Sequence, residues 1–406
     1  MSPPRTVARK LRSGRPSSVG MSEARLRNVT RMVHQWVDEG VAQTMEVLAV
    51  RRGTIVLHEV CGRLTPDADS PPTPLGALFP TASVTKVFTA TCLMTLVEEG
   101  RVGINRPVVH YIPEFKGDGK EAVLVRHLLT HTSGLREEEV EAYARENRGK
   151  IAVPKAEPTI HPLMHEYYSL RYGAPLWKPP GTEMSYANFN FELAGDIVRR
   201  VSGTSLDRFA ESRIFRPLGM LDTSYCRVDV PPKRIVRRPP DEVDPGVPPD
   251  PLFEAIAAAR DKERICAGAW GILTNALGLA KFGQMFLNGG AYGPARILSP
   301  VTVTEMTRNQ IPGVGATFFE EVFPEASWGY GWSIHGAKTG GNGGLYSSRA
   351  FEHWGSGGIY VWVDPDLEIV GVYLSAAPIR LKILEGMKHL YNDLFTDAVI
   401  ASVEQL

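Results

Sequence analysis

Ser83 and Lys86 stand three residues apart where an apolar run, Val84–Glu99, begins. Residues three apart on a helix share a face, so this spacing brings the Lys86 amine within reach of the Ser83 hydroxyl. A helix start also offers backbone N–H groups and a positive end, both of which favour developing negative charge. A serine hydroxyl attacks poorly unless something takes its proton, and a desolvated lysine is one group that does so. Taken alone the string carries little weight, because an N-cap serine followed by a solvated lysine spells the same four letters.

Its company adds to it. Pro180-Gly181-Thr182-Glu183-Met184-Ser185-Tyr186-Ala187-Asn188 is a turn-rich approach to a helix, which places Tyr186 and Asn188 on the connecting loop. A third element, His353-Trp354-Gly355-Ser356-Gly357-Gly358, runs into a β-rich stretch. These groups are far apart in the chain, so elements from both ends must bring them together. Periodicity predicts a helix from Ser22, with Leu26, Val29, Val33, Trp36 and Val37 on one face and Gly40 as its stop. MEVLAVRRGTIVLHEVCG reads as a hairpin turning at Arg52-Gly53. Further helices are predicted over Val125–Leu129, Phe191–Val201, Ala276–Asn288 and Ile379–Thr396. Strands are predicted over Tyr330–His335, Gly358–Asp364 and Glu368–Ser375. Residues 231–251 are too rich in proline and charge to pack regularly, and read as a surface loop that could serve as a lid.

The chain resembles the serine β-lactamase-like group: class C β-lactamases, D-alanyl-D-alanine peptidases and the carboxylesterases and acyltransferases that share their fold. The resemblance spans roughly residues 22–396. It includes Leu128-Leu129-Thr130-His131-Thr132-Ser133-Gly134-Leu135, Ile214-Phe215-Arg216-Pro217-Leu218-Gly219-Met220 and the stretch from Lys281 to Gly290. It implies an α+β fold, an antiparallel sheet built from both chain ends with N- and C-terminal helices on one face. The implied division is a basic disordered tail (1–21), a sheet domain (22–112 and 262–406) and a mainly helical insert (113–261). By the same resemblance Ser83 forms an acyl-enzyme and Lys86 and Tyr186 share the proton work, with the ammonium lowering the Tyr186 pKa. Asn188 holds Lys86 or the substrate, and the backbone N–H groups of Ser83 and Ser356 form an oxyanion hole beside His353, Trp354 and Gly355.

One departure bears on substrate. Penicillin-active members usually carry Lys-Thr-Gly or His-Thr-Gly in the third motif, and here Trp354 takes the threonine's place. Bulk and apolar surface replace a hydroxyl donor, which tilts the expectation from β-lactams and D-alanyl peptides towards carboxylic esters. Acyl transfer through the same acyl-enzyme and β-lactamase or D-amino-acid peptidase activity are the alternatives, followed by a non-catalytic sensor that stays acylated. Lys338-Thr339-Gly340 spells the penicillin-type motif literally but lies in a Gly-rich stretch, so the run from His353 is preferred.

Composition narrows the partners. The 406 residues carry 45 Lys and Arg against 45 Asp and Glu, a formal net charge of zero that argues against nucleic acid. No apolar run is long enough for a membrane span or a secretory signal, so the expected address is cytoplasmic and the expected partner a small ester or acyl substrate. Cys61, Cys92, Cys226 and Cys266 lack metal-ligand or redox spacing, and no cofactor or metal is expected. His127 and His131 read as structural residues that cap and turn near the cleft. Trp328 and Trp332 read as core or cleft wall, and Tyr167, Tyr168 and Tyr172 as either acyl-pocket lining or packing.

Overall fold

A computed structural model describes residues 8–239, 250–318, 321–336, 343–377 and 391–406. The rival motif at Lys338, residues 240–249 of the candidate lid and most of the helix predicted from Ile379 lie outside the described residues; the start of that loop, read as unable to pack regularly, has Ile235 and Val236 buried and is bonded through backbone to Leu78. The centre of the molecule is a seven-stranded sheet. Its strands are β1 (Arg12–Ser13), β2 (Thr44–Arg51), β3 (Thr54–Gly62), β4 (Ser333–Ile334), β5 (Phe351–Gly355), β6 (Ile359–Asp364) and β7 (Ile369–Ser375). Their order across the sheet is β1-β3-β2-β7-β6-β5-β4, with only the β1–β3 pair parallel. β2 from one end of the chain thus pairs with β7 from the other, Leu48 opposite Val372.

The β2–β3 hairpin turns at Arg52 and Gly53, both with positive φ, as a two-residue hairpin turn of primed type requires. Side chains alternate across β2. Met45, Val47 and Ala49 meet helix α1 (Glu23–Asp38), whose Leu26, Val29, Val33 and Trp36 are buried at helical spacing. Burying each such side chain contributes about 1.5–3 kcal/mol. Leu48 and Val50 face the opposite core, which runs on into helix α2 (Thr85–Glu98) and the helices packed behind it. Helix α3 (Glu137–Asn147), helix α4 (Asn188–Ser202) and helix α5 (Ala276–Leu287) belong to that layer. Helix α6 (Asn392–Ile400) packs with α1 on the far face.

Several sequence expectations need correction. The stretch 8–21, read as part of a disordered tail, is ordered. Arg12–Ser13 adds a strand to the sheet edge, and the buried Arg51 guanidinium donates to the carbonyls of Val19 and Gly20. Scattered basic residues hid a segment tied down by backbone pairing and by a few buried apolar side chains, Val19 and Met21 among them. The strand predicted from Tyr330 is confined to Ser333–Ile334. His353, Trp354 and Gly355 lie in a strand of their own, β5, which turns at Ser356–Gly358 into β6. Asn188 opens α4 and is not on the loop before it. Among the described residues no helix is long and apolar enough to cross a membrane, and no cluster of three or more His, Cys, Asp or Glu is placed to hold a metal ion.

Candidate active site

Ser83 sits in a single 3-10 turn, Ala82–Val84, that leads into α2. Ala82 holds φ at +45°, a backbone region that non-glycine residues avoid, so the turn that presents Ser83 is strained. It is held from behind. The Thr81 N–H and hydroxyl both donate to the Ile272 carbonyl, at 2.8 and 2.9 Å, and the Ile272 N–H donates to Thr85 Oγ1 at 3.1 Å. Strand β5 closes the other side. A Cβ at Gly355 would stand 2.3 Å from the Thr81 carbonyl oxygen, so glycine there lets the strand end, and the Ser356 N–H after it, approach the Ser83 turn.

Lys86 is fully buried one turn into the helical run. Its Nζ lies 2.9 Å from Ser83 Oγ, 2.8 Å from Asn188 Oδ1 and 3.2 Å from the Ala269 carbonyl. Burial brings its pKa down to about 7, although the carboxylates of Glu137 and Glu192 pull the other way. At neutral pH the amine is therefore often without its extra proton.

Tyr186 differs from the sequence expectation. Burial pushes its pKa up, and the hydrogen bond with Ser83 only partly offsets this. Lys86 Nζ stands over the ring, 4.8 Å from its centroid, where an ammonium does little for the phenolic oxygen. The ring packs on His131, stacked at 4.3 Å, on Trp354, nearly parallel at 6.1 Å, and on Trp328, edge-on. His131 is a structural member of this stack. Its Nδ1 accepts from the Ala187 N–H and its carbonyl from the Ser185 N–H, fixing the approach to Tyr186. His353 is buried and its pKa falls to about 3, so its imidazole is neutral, with Nδ1 donating to the Trp354 carbonyl at 2.8 Å. Ser83, Lys86, Tyr186, Asn188, His353, Trp354 and Gly355 are thus brought together, with Ser356 next along the chain from Gly355.

Two carboxylates and one carbonyl were missed. Glu137 accepts from Asn188 Nδ2 and from the Asn188 N–H, each at 2.8 Å. Glu192, fully buried with a pKa raised to about 7, accepts from the Gly268 N–H at 2.7 Å and the Ala269 N–H at 3.3 Å. It thereby holds the segment whose Ala269 carbonyl meets Lys86. Glu192 follows Asn188 by four residues, a same-face spacing that was readable once Asn188 was placed on a helix. Nothing about Glu137 marked it out. The tyrosines of YYSLRYG belong to this support. Tyr168 donates to Glu192 and Tyr172 to Asp196, both in the buried layer. Trp332 is core, packed on Phe286 and Phe351. All four cysteines are free, with the Cys61 thiol pushed up to about 11 by burial.

A sheet covered by terminal helices, with a serine–lysine–tyrosine cluster at the edge of its fifth strand, is the architecture of the serine β-lactamase and penicillin-binding-protein fold. The structure superposes on EstCE1, described as a hydrolase with promiscuous acyltransferase activity, with a TM-score of 0.72 and 19% identity over 94% of this chain and 99% of that one. It superposes on a family VIII carboxylesterase with a TM-score of 0.65 and 22% identity over 91% and 96%. In sequence it is 25% identical over 396 residues to a Salmonella agona (strain SL483) protein named "Putative D-alanyl-D-alanine carboxypeptidase", covering 91% of this chain and 86% of that one. The Beta-lactamase family model matches residues 29–389, and the chain belongs to that family.

Proposed function

We propose that the chain hydrolyses carboxylic esters through a Ser83 acyl-enzyme. Ser83 Oγ attacks the ester carbonyl while its proton passes to Lys86. The negative charge that appears on the carbonyl oxygen is met by the N–H groups of Ser83 and Ser356. The C–O bond to the alcohol then breaks, and Tyr186, whose high pKa keeps it a phenol, gives the leaving alkoxide its proton and recovers one from Lys86. Water attacks the acyl group by the same relay and frees Ser83. Lys86 acts as base because its pKa is about 7, so kcat/KM rises with pH through that value and levels off above it.

The observation that carries the ester reading is Trp354. Its indole lies nearly parallel to the Tyr186 ring at the position where penicillin-active relatives present a hydroxyl, so the cleft meets this part of a substrate with an apolar face. The name of the Salmonella relative favours a D-alanyl peptidase as second reading, and the description of EstCE1 favours acyl transfer as a variant of the first. Intact-mass spectra after parallel mixing with a p-nitrophenyl ester, a penicillin and a D-alanyl-D-alanine peptide separate them. Turnover of the ester, with slow or no acylation by the other two, is the expected result. Rapid acylation by penicillin with negligible ester turnover overturns the ester reading.

A further inference from the structure

Asn188 carries two chemically different ends on one amide, and only one of them suits Lys86. We propose that Glu137 is a positioning residue for the reaction above: it fixes which end of the Asn188 amide faces Lys86, and so fixes where the amine's lone pair points. The inference rests on the acyl-enzyme reading, with Ser83 as nucleophile.

The argument is a count of donors and acceptors. An ionised carboxylate only accepts hydrogen bonds. One Glu137 oxygen takes the Asn188 side-chain Nδ2–H at 2.8 Å; the other takes the backbone N–H of Asn188 at 2.8 Å and of Phe189 at 3.4 Å. With Nδ2 committed to Glu137, Oδ1 is the end left for Lys86, and it lies 2.8 Å from Nζ. The Ala269 carbonyl, also a pure acceptor, lies 3.2 Å away on another side and is held there by Glu192. A neutral amine has two hydrogens and one lone pair. The two acceptors take the hydrogens, so the lone pair is left for the third neighbour, the Ser83 hydroxyl at 2.9 Å. Were the amide reversed, Nδ2–H would draw the lone pair and an amine hydrogen would point at Ser83.

The surroundings make this orientation worth fixing. Around Lys86 stand the carboxylates of Glu137 and Glu192, the neutral rings of His131 and His353, and the face of Tyr186. Around Glu137 stand Asn188 and Phe189 of α4, Lys86 of α2, Glu141 one turn along α3, and the phenols of Tyr167 and Tyr186. Burial pushes the Glu137 carboxyl up, the Asn188 hydrogen bond holds it down, and Glu141 adds repulsion. Lys86 is the one cation among these groups.

Glu137→Gln tests the idea because glutamine has one acceptor and one donor end. Its oxygen is needed by the two backbone N–H groups of α4, so its Nε2 faces Asn188 and forces that amide to reverse. The double variant Glu137→Gln/Asn188→Asp restores the match. The aspartate it places on α4 offers one oxygen to the new glutamine and the other to Lys86. The readout is the second-order rate of labelling by a fluorophosphonate as a function of pH. In that step the Ser83 O–P bond forms, the P–F bond breaks, fluoride leaves and the serine proton goes to Lys86.

Glu137→Gln is expected to slow labelling at least ~30-fold, within the range that general-base placement controls. Its acid limb should move to lower pH, because a carboxylate that raised the Lys86 pKa is gone. The double variant should regain at least ~10-fold over both Glu137→Gln and Asn188→Asp, a non-additivity that only a shared contact produces. Its limb should lie above the parent's, with a carboxylate now touching the amine. A Glu137→Gln protein that labels within threefold of the parent with an unmoved limb overturns the proposal. So does a double variant no faster than Asn188→Asp, and this second comparison decides the matter if Glu137→Gln alone does not fold. Labelling that persists in Ser83→Ala is a separate outcome: it removes the acyl-enzyme reading itself.

Discussion

Adding one methyl group at Gly355 should cripple the reaction without unfolding the protein. In Gly355→Ala the new Cβ would stand 2.3 Å from the Thr81 carbonyl oxygen and 3.2 Å from the Ala82 methyl. Protein Cβ atoms do not come closer than 3.0 Å to such neighbours. The end of β5 and the Ser83 turn must therefore part by at least about 0.7 Å, in an interior packed too tightly to absorb it locally. The turn is tied to Ile272 through the Thr81 N–H and hydroxyl, so the strand end moves, and it carries the Ser356 N–H away from the developing oxyanion. Removing one such donor costs about 2.7–4 kcal/mol, or 10²–10³ in kcat. The expected result for a short-chain p-nitrophenyl ester is a kcat at least ~100-fold lower with KM within about fivefold, because the donor acts on the transition state. Gly344→Ala is the control: its Cβ would lie 3.8 Å from Asp397 Oδ2 and meet nothing closer, so its kinetics should match the parent. A folded Gly355→Ala enzyme that keeps kcat within fivefold refutes both the oxyanion assignment and the geometry behind it.

Ser83→Ala should abolish ester turnover with little change in melting temperature, while Lys86→Ala and Tyr186→Phe each lose several orders of magnitude without adding in combination. Retention of a tenth of the parent rate by Ser83→Ala would sink the mechanism. Short-chain p-nitrophenyl esters should exceed a chromogenic cephalosporin in kcat/KM by at least ~100-fold, about 2.7 kcal/mol, and Trp354→Thr should narrow that gap; the reverse preference makes the chain a β-lactamase. Glu192 binds its proton more tightly folded (about 7) than unfolded (4.5), so its contribution to stability is full below about pH 4.5 and is lost as pH rises through 7. The melting temperature of Glu192→Gln should accordingly fall less between pH 5 and 8 than the parent's, and equal slopes would contradict the burial argument.

The serine–lysine pair was legible because helix geometry converts a spacing of three into a shared face. The pattern of α1 and the Arg52-Gly53 hairpin were legible because their burial and turn chemistry are local. What escaped was set by partners distant in the chain. The rise in the Tyr186 pKa follows from its burial, to which His131 and Trp354, residues 55 positions before it and 168 after, contribute, and no local pattern reports such packing. The β5 strand escaped because its glycine and short length dilute the alternation that marks strands, although the contact with Thr81 demands that glycine. Glu137 looked like any acidic residue at a helix start, and its value lies in an amide fifty-one positions away.

The buried Arg51 guanidinium also reaches the other end of the chain. Besides Val19 and Gly20 it donates to the carbonyls of Leu367 and Gln405, and the Glu404 N–H donates to the Gly20 carbonyl. Residues from both ends of the fold thus meet at one cation, at the end of the central strands away from Gly355 and the serine turn. Trimming the first twenty residues would undo this tie. It strips two of the carbonyls from a buried guanidinium and frees an edge of the sheet, and a buried charge left short of acceptors is among the costlier defects a fold can carry. Shortened versions of this protein should therefore lose solubility before they lose any residue of the active site.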